Sequence, residues 1–269
     1  MLVGAQGFAG MAVAGLDMAC WDAQARAAEL PLYALLGGEN SGQLKAYDSL
    51  GMVGLDKIEG ILRKSMDLGF RAAKIRLGFP ELATDLAVAR LARETMGADA
   101  DIMVDFNQSL TADEATLRIQ ALAEINFYWV EEPVPATAYD ACAAVRASVD
   151  TPIQMGENWG GAADMKLSLA YGASDYVMPD AMRIGGVTGW QKAAELAEEA
   201  KTPMSSHLFP EISAHLLLVT PTCQWLEYMD LASTALQTPL EIRDGIAIVP
   251  DRPGSGLEWD LDAVKQYLI

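Results

Sequence analysis

Apolar residues return along this chain in two rhythms. From residue 8 to residue 30, Ala, Leu, Met and Trp recur at helical spacing, and Pro31 with Gly37 and Gly38 closes the stretch, which predicts one long, largely buried helix. Beyond it, short apolar runs alternate with amphipathic stretches, the signature of parallel βα units. The runs at residues 44–47, 72–75, 102–104, 128–130, 153–155, 176–178, 204–205 and 224–226 predict eight strands. Stretches 56–68, 82–96, 112–124, 162–171, 187–200 and 211–219 predict helices among them. Eight such units predict an α/β fold of the TIM-barrel kind, with a doubly wound sheet as the second architecture. The tail changes character: residues 240–249 and 256–259, with Asp244-Gly245 at a hairpin turn, predict antiparallel strands. The expected organisation is a lead-in helix over residues 1–43, a barrel over 44–230 and an appended segment over 231–269.

Acidic residues sit at the ends of three consecutive apolar runs: Val104-Asp105, Val130-Glu131 and Met155-Gly156-Glu157. Each acidic residue lies 26 positions from the next, about one βα unit of a barrel, so all three are expected at one mouth. A single acidic residue there would be read as the start of a solvated loop. Three hard oxygen ligands at one point, with positions left open, suit Mg²⁺, and the lack of nearby Cys or His partners disfavours zinc.

Only two histidines occur. His215 lies within an apolar helical stretch and is expected to be a satisfied core imidazole. His207 follows the seventh run and is the candidate base; Asp180, one unit away, is its candidate partner for fixing the tautomer. Lys74 and Arg76 close the second run, where alternation puts both on one face. Glu227 follows the eighth run, where a protonated carboxyl would donate a hydrogen bond to a developing enolate while Lys74 and the metal take its other charge. Trp159 and Trp190 are expected to pack.

Composition narrows the partners. The formal charge of −18 argues against nucleic acid, which needs clustered Lys and Arg. No apolar run is long enough for a bilayer, and no basic, apolar leader opens the chain, so a soluble cytoplasmic protein is expected. Three widely spaced cysteines, Cys20, Cys142 and Cys223, predict buried thiols without disulfide or zinc.

The segments AAKIRLGFP, IMVDFNQS, WVEEP, QMGENWG, MPDAMRIGGVTGW and PMSSHLFPEISAHLL resemble the mandelate racemase branch of the enolase superfamily, from about Ala12 to the C-terminus. The resemblance implies a modified (β/α)₇β barrel with Asp105, Glu131 and Glu157 holding Mg²⁺. It implies His207 with Asp180 as general base, Glu227 as electrophilic acid, Lys74 and Asn107 as substrate contacts, and Ser49 as a substrate-contacting serine. The activity it implies is abstraction of the α-proton of a carboxylate, an α-hydroxy acid or acid sugar, by a racemase or dehydratase that forms a homo-oligomer.

Two departures qualify this. The family's second base, a Lys, is Arg76 here, and a guanidinium keeps its proton at working pH. The family's N-terminal capping domain, of about 100 residues, is expected to be missing, and with it the surface on which the segment 231–269 would pack. Both leave a second expectation open: a silent or truncated barrel that binds Mg²⁺ without turnover. A plain aldolase or phosphate-sugar isomerase is a third reading, weakened by the absence of a Gly-rich phosphate loop after the seventh and eighth runs.

Overall fold

The computed structural model of the protein describes residues 7–267, and its elements follow the alternation in the sequence. Helices α1 (Gly7–Ala27) and α2 (Leu32–Leu35) lead into β1 (Ala46–Met52), α3 (Ile58–Asp67), β2 (Ala72–Arg76), α4 (Leu82–Met96), β3 (Asp101–Asp105) and α5 (Ala112–Ala121). Then come β4 (Val130–Glu131), α6 (Tyr139–Ala147), β5 (Ile153–Met155), α7 (Ala162–Tyr171), β6 (Tyr176–Val177), α8 (Ala181–Ile184), α9 (Gly186–Ala200) and α10 (Pro210–Leu217). The chain ends with β7 (Leu226–Tyr228), a hairpin of β8 (Glu241–Arg243) and β9 (Ile246–Ile248), and α11 (Leu261–Lys265).

Strands β1 to β7 form one parallel sheet in the order β6-β5-β4-β3-β2-β1-β7. The sheet curls, and residues 203–206 span its two edges: Met204 bridges Val177 on one side and Cys223 on the other. Ser205 N donates to Val177 O (2.8 Å) and Ser206 N to Trp225 O (3.0 Å). The predicted seventh strand is thus a pair of single bridges and not a regular strand. Pro203 lacks the amide needed to extend the ladder. The result is a TIM-barrel-like α/β domain.

Other differences have local causes. Helix α6 is absent from the predicted set although Tyr139, Cys142 and Val145 recur at helical spacing along its buried face; it is only nine residues long. The predicted strand at 256–259 is reduced to one bridge, Trp259 with Leu236. Helix α1 forms but is far from largely buried: Phe8, Val13 and Leu16 are exposed, because apolar residues surround its whole circumference and only one side packs on α8 and α9. Of the cysteines, Cys142 is buried as expected, whereas Cys20 on α1 and Cys223 ahead of β7 are exposed. Among the described residues no helix is long and apolar enough to cross a membrane.

The hairpin turns at Asp244 and Gly245, both with positive φ, as its Asp-Gly pair demands. It docks on the barrel itself: Ala46 N donates to Gly245 O and Ala247 N to Leu44 O, both at 2.8 Å. Inside the barrel, Tyr47, Met103, Trp129 and Trp225 pack beneath the strand ends. Helices α4 and α5 are tied by a buried ion pair between Asp85 and Arg118. Asp85 also accepts from Gly78 N and Phe79 N (3.0 Å each), fixing the loop just beyond Arg76.

His215 is the core imidazole the pattern predicts. Its Nε2 donates to Ser255 O (3.0 Å), its Nδ1 accepts from Tyr33 N, and its ring stacks on Tyr33. Burial pushes its pKa down to about 4. An unfolded histidine titrates near 6.5, so the unfolded chain binds the extra proton first as pH falls. Stability is therefore expected to be complete above about pH 6.5 and to lose roughly 3 kcal/mol between there and pH 4. Comparing urea unfolding of the wild type and His215→Leu across that window checks this; an equal pH slope in both would contradict it.

Candidate active site

Parallel register places the acidic residues side by side. Asp105 ends β3 opposite Glu131, which ends β4, and Glu157 follows β5 by two residues. All three side chains are buried, and each offers an oxygen within 4.8 Å of the others. The turn that brings Glu157 inward passes through Gly156 at φ 142°, where a Cβ would meet the Met178 backbone at 3.0 Å and the Trp159 ring at 2.7 Å. Gly156→Ala is expected to cost about 2 kcal/mol or more through strain and overpacking. It should also weaken metal binding, as calorimetric titration with Mg²⁺ would show. Positive φ also marks Asn107, Gln108, Glu132, Leu208 and Phe209, all just past strand ends at this mouth. Strain of this kind persists where the surrounding structure enforces it.

Charge in the cluster is unbalanced. Burial, and then the neighbouring Glu157, push the Asp105 carboxyl above its ordinary range against the pull of Lys74. Burial does the same, more strongly, to Glu131. Glu132, also buried, is raised to about 8 by burial and by Glu157. Carboxylates crowded away from water require a cation, and three converging oxygens fit the coordination of Mg²⁺, which keeps its remaining positions for water or substrate.

Lys74 supplies part of that charge. Its Nζ lies 2.6 Å from Glu131 Oε1 and 2.7 Å from Glu227 Oε1. Burial would lower its pKa, but the two carboxylates outweigh that and hold it well above the ordinary value. Burial would raise Glu227, yet Lys74 and His207 bring it down to about 2, and Leu208 N donates to its Oε2 at 2.8 Å. Glu227 is therefore a carboxylate in this arrangement, and it must take up a proton before it can donate one.

His207 stands between the two groups. Its Nδ1 is 2.7 Å from Asp180 Oδ2, which places one proton on Nδ1 and leaves Nε2 turned to the glutamates. Nε2 is 3.2 Å from Glu157 Oε2 and 3.9 Å from Glu227 Oε2. Burial pulls its pKa down, but Glu227, Asp180 and Glu157 together leave it raised. Asp180 also caps α8, its Oδ1 accepting from Met182 N and Arg183 N.

The remaining predicted residues surround this centre. Ser49 is buried and pairs in register with Lys74. Asn107 turns back on Asp105, donating from N (2.6 Å) and Nδ2 (3.2 Å). Arg76 lies opposite Asp105 in register, and its buried Nε has no partner among the described residues. Sequence reasoning missed Trp129, whose Nε1 donates to Glu131 Oε2 at 3.3 Å from within the barrel. Its position two residues before Glu131, on the same strand face, was the available signal. Asn158 was missed too; its Nδ2 donates to Glu157 Oε1 (3.0 Å) and Glu132 Oε2 (2.8 Å).

A barrel with converging carboxylates beside an Asp-His pair has the layout of a metal-assisted acid–base enzyme. Residues 59–263 match the enolase C-terminal domain-like family. Residues 2–37 match the mandelate racemase/muconate lactonizing enzyme N-terminal domain. The chain thus belongs to the enolase superfamily, in its mandelate racemase-like group. The second match corrects the expectation that nothing in the chain corresponds to that N-terminal domain, because part of it falls on the lead-in helix.

A Bradyrhizobium enolase, crystallised with magnesium and mandelic acid, superposes with a TM-score of 0.94 at 46% identity, over 100% of this chain and 74% of that one. L-talarate/galactarate dehydratase of Salmonella typhimurium is 31% identical over 94% of this chain. A 3,6-anhydro-alpha-L-galactonate cycloisomerase of Streptomyces coelicolor is 32% identical over 99% of it. The chain spans 64% of the dehydratase's length and 74% of the cycloisomerase's.

Proposed function

We propose that residues 44–230 form the (β/α)₇β catalytic barrel of a Mg²⁺-dependent enzyme that removes the α-proton of a small carboxylate, an α-hydroxy acid or acid sugar. The observation that carries this reading is the Asp180-held His207, its Nε2 beside the ligand Glu157. Asp105, Glu131 and Glu157 would hold the ion. Bound there, it supplies the positive charge that makes an α-carbon acidic beside a carboxylate.

His207 Nε2 takes the α-proton, and Asp180 balances the imidazolium this creates. Lys74 adds positive charge where the substrate's oxygens become negative. Its ion pair with Glu227 loosens as it turns to the substrate, which lets Glu227 take a proton from water and donate a hydrogen bond. Arg76 remains a cation, so the opposite face lacks a second base. One base suffices for dehydration, in which His207 returns its proton to a departing β-hydroxyl and releases water. Acid-sugar dehydration is therefore favoured over a symmetrical racemisation, and the name of the Salmonella relative supports the same chemistry. Exposed Phe8, Val13 and Leu16 on α1 support assembly with another chain.

The test is NMR in D₂O with Mg²⁺ and paired epimers of aldonic and aldaric acids, with both mandelates alongside. The reading predicts exchange or elimination for only one configuration at the α-carbon. Equal exchange of both would overturn the one-base assignment.

A further inference from the structure

The polar contacts around His207 continue into a closed circuit. His207 joins Asp180 through Nδ1 and approaches Glu157 through Nε2. Asp180 accepts from the backbone N of Arg183 (3.0 Å), and the Arg183 guanidinium donates through Nη1 to Asn158 Oδ1. Asn158 Nδ2 then donates to Glu157 Oε1, completing the ring, and to Glu132 Oε2, holding a fourth carboxylate aside. Asn158 and Arg183 are each only partly buried, and neither side chain fills the core.

We infer that Arg183 and Asn158 are positioning residues that fix Glu157 as a metal ligand and lock it in register with the His207–Asp180 pair. This rests on the reading of Asp105, Glu131 and Glu157 as the metal site. A carboxylate on a short loop has rotamers to choose from, and a donor on one oxygen selects the one that presents the other oxygen inward. Arg183 acts only through Asn158: its planar fork sets the amide so that Nδ2, and not Oδ1, faces the two glutamates. Without the guanidinium the amide oxygen loses its partner, and only the two glutamates then hold the amide, so its grip on Glu157 slackens.

Calorimetric Mg²⁺ titration of the full chain tests this without turnover. Asn158→Leu is expected to weaken Mg²⁺ binding by about 10–100-fold and Arg183→Met by about tenfold. The double variant should bind no more weakly than Asn158→Leu alone, because the two residues form one relay. Arg183→Lys, which keeps a donor, should recover part of the loss. Thermal unfolding confirms that each variant folds; both positions are partly exposed, so small Tm changes are expected. Affinity within twofold of wild type in either single variant, or additive losses in the double, would overturn the relay. Wild type that binds Mg²⁺ but exchanges no α-proton would refute the proposed function and leave the relay standing. Wild type that binds no Mg²⁺ would overturn both.

Discussion

Lys74→Met is expected to destabilise the folded chain by about 3–5 kcal/mol, the cost of leaving buried charge without its partner. Lys74 is 5% exposed and bridges Glu131 and Glu227, which are 0% and 1% exposed. Methionine replaces the stem but not the ammonium, so the two carboxylates either stay charged away from water or take up protons. Protonation in the folded state raises their pKa above that of the unfolded chain, so the folded variant binds more protons and gains relative stability as pH falls. The deficit should therefore be largest near pH 8 and shrink toward pH 5. Saturating Mg²⁺ should restore part of it, because a divalent ion on Glu131 substitutes for the lost charge. Urea unfolding at several pH values, with and without Mg²⁺, checks this; a deficit below 1 kcal/mol, or one that grows on acidification, would contradict the assigned electrostatics.

His207→Asn is expected to lower substrate turnover by about 10²–10⁴-fold, the range a positioned general base supplies. Asn preserves a polar side chain near Asp180 but has no group to receive a proton at the Nε2 position. Metal affinity should remain near wild type, since His207 lies beside the Glu157 ligand and is not one of the three converging oxygens. Pre-steady-state deuterium exchange and Mg²⁺ titration on the same sample separate the two effects. A variant that loses Mg²⁺ along with activity would assign His207 to the metal and not to the substrate.

Strand positions governed by period were the most legible feature of the sequence. Residues 72, 101, 130, 153 and 176 open strands, one βα unit apart each time, and parallel pairing of β3 with β4 then sets Asp105 opposite Glu131. Lys74 and Arg76 follow from alternation on β2, whereas Ser49 followed from the family resemblance. The contacts that span the ring were not legible. Lys74 reaches Glu227 because β7, the last strand of the sheet, pairs directly with β1 beside β2, and no local spacing encodes that neighbour. Asn158 and Arg183 were hidden in the same way, their meeting fixed by where α8 lies against the loop that follows β5. Helix α1 misled for another reason: apolar residues on every side read as burial, although the helix packs on one side only.

The most direct test of the central claim is α-proton exchange by the wild-type chain in D₂O over a panel of α-hydroxy and sugar acids, measured with Mg²⁺ and again after chelation. The account predicts exchange with at least one acid in the presence of Mg²⁺ and its loss when the ion is removed. Exchange that survives chelation, or none with any acid despite Mg²⁺ binding, would contradict it.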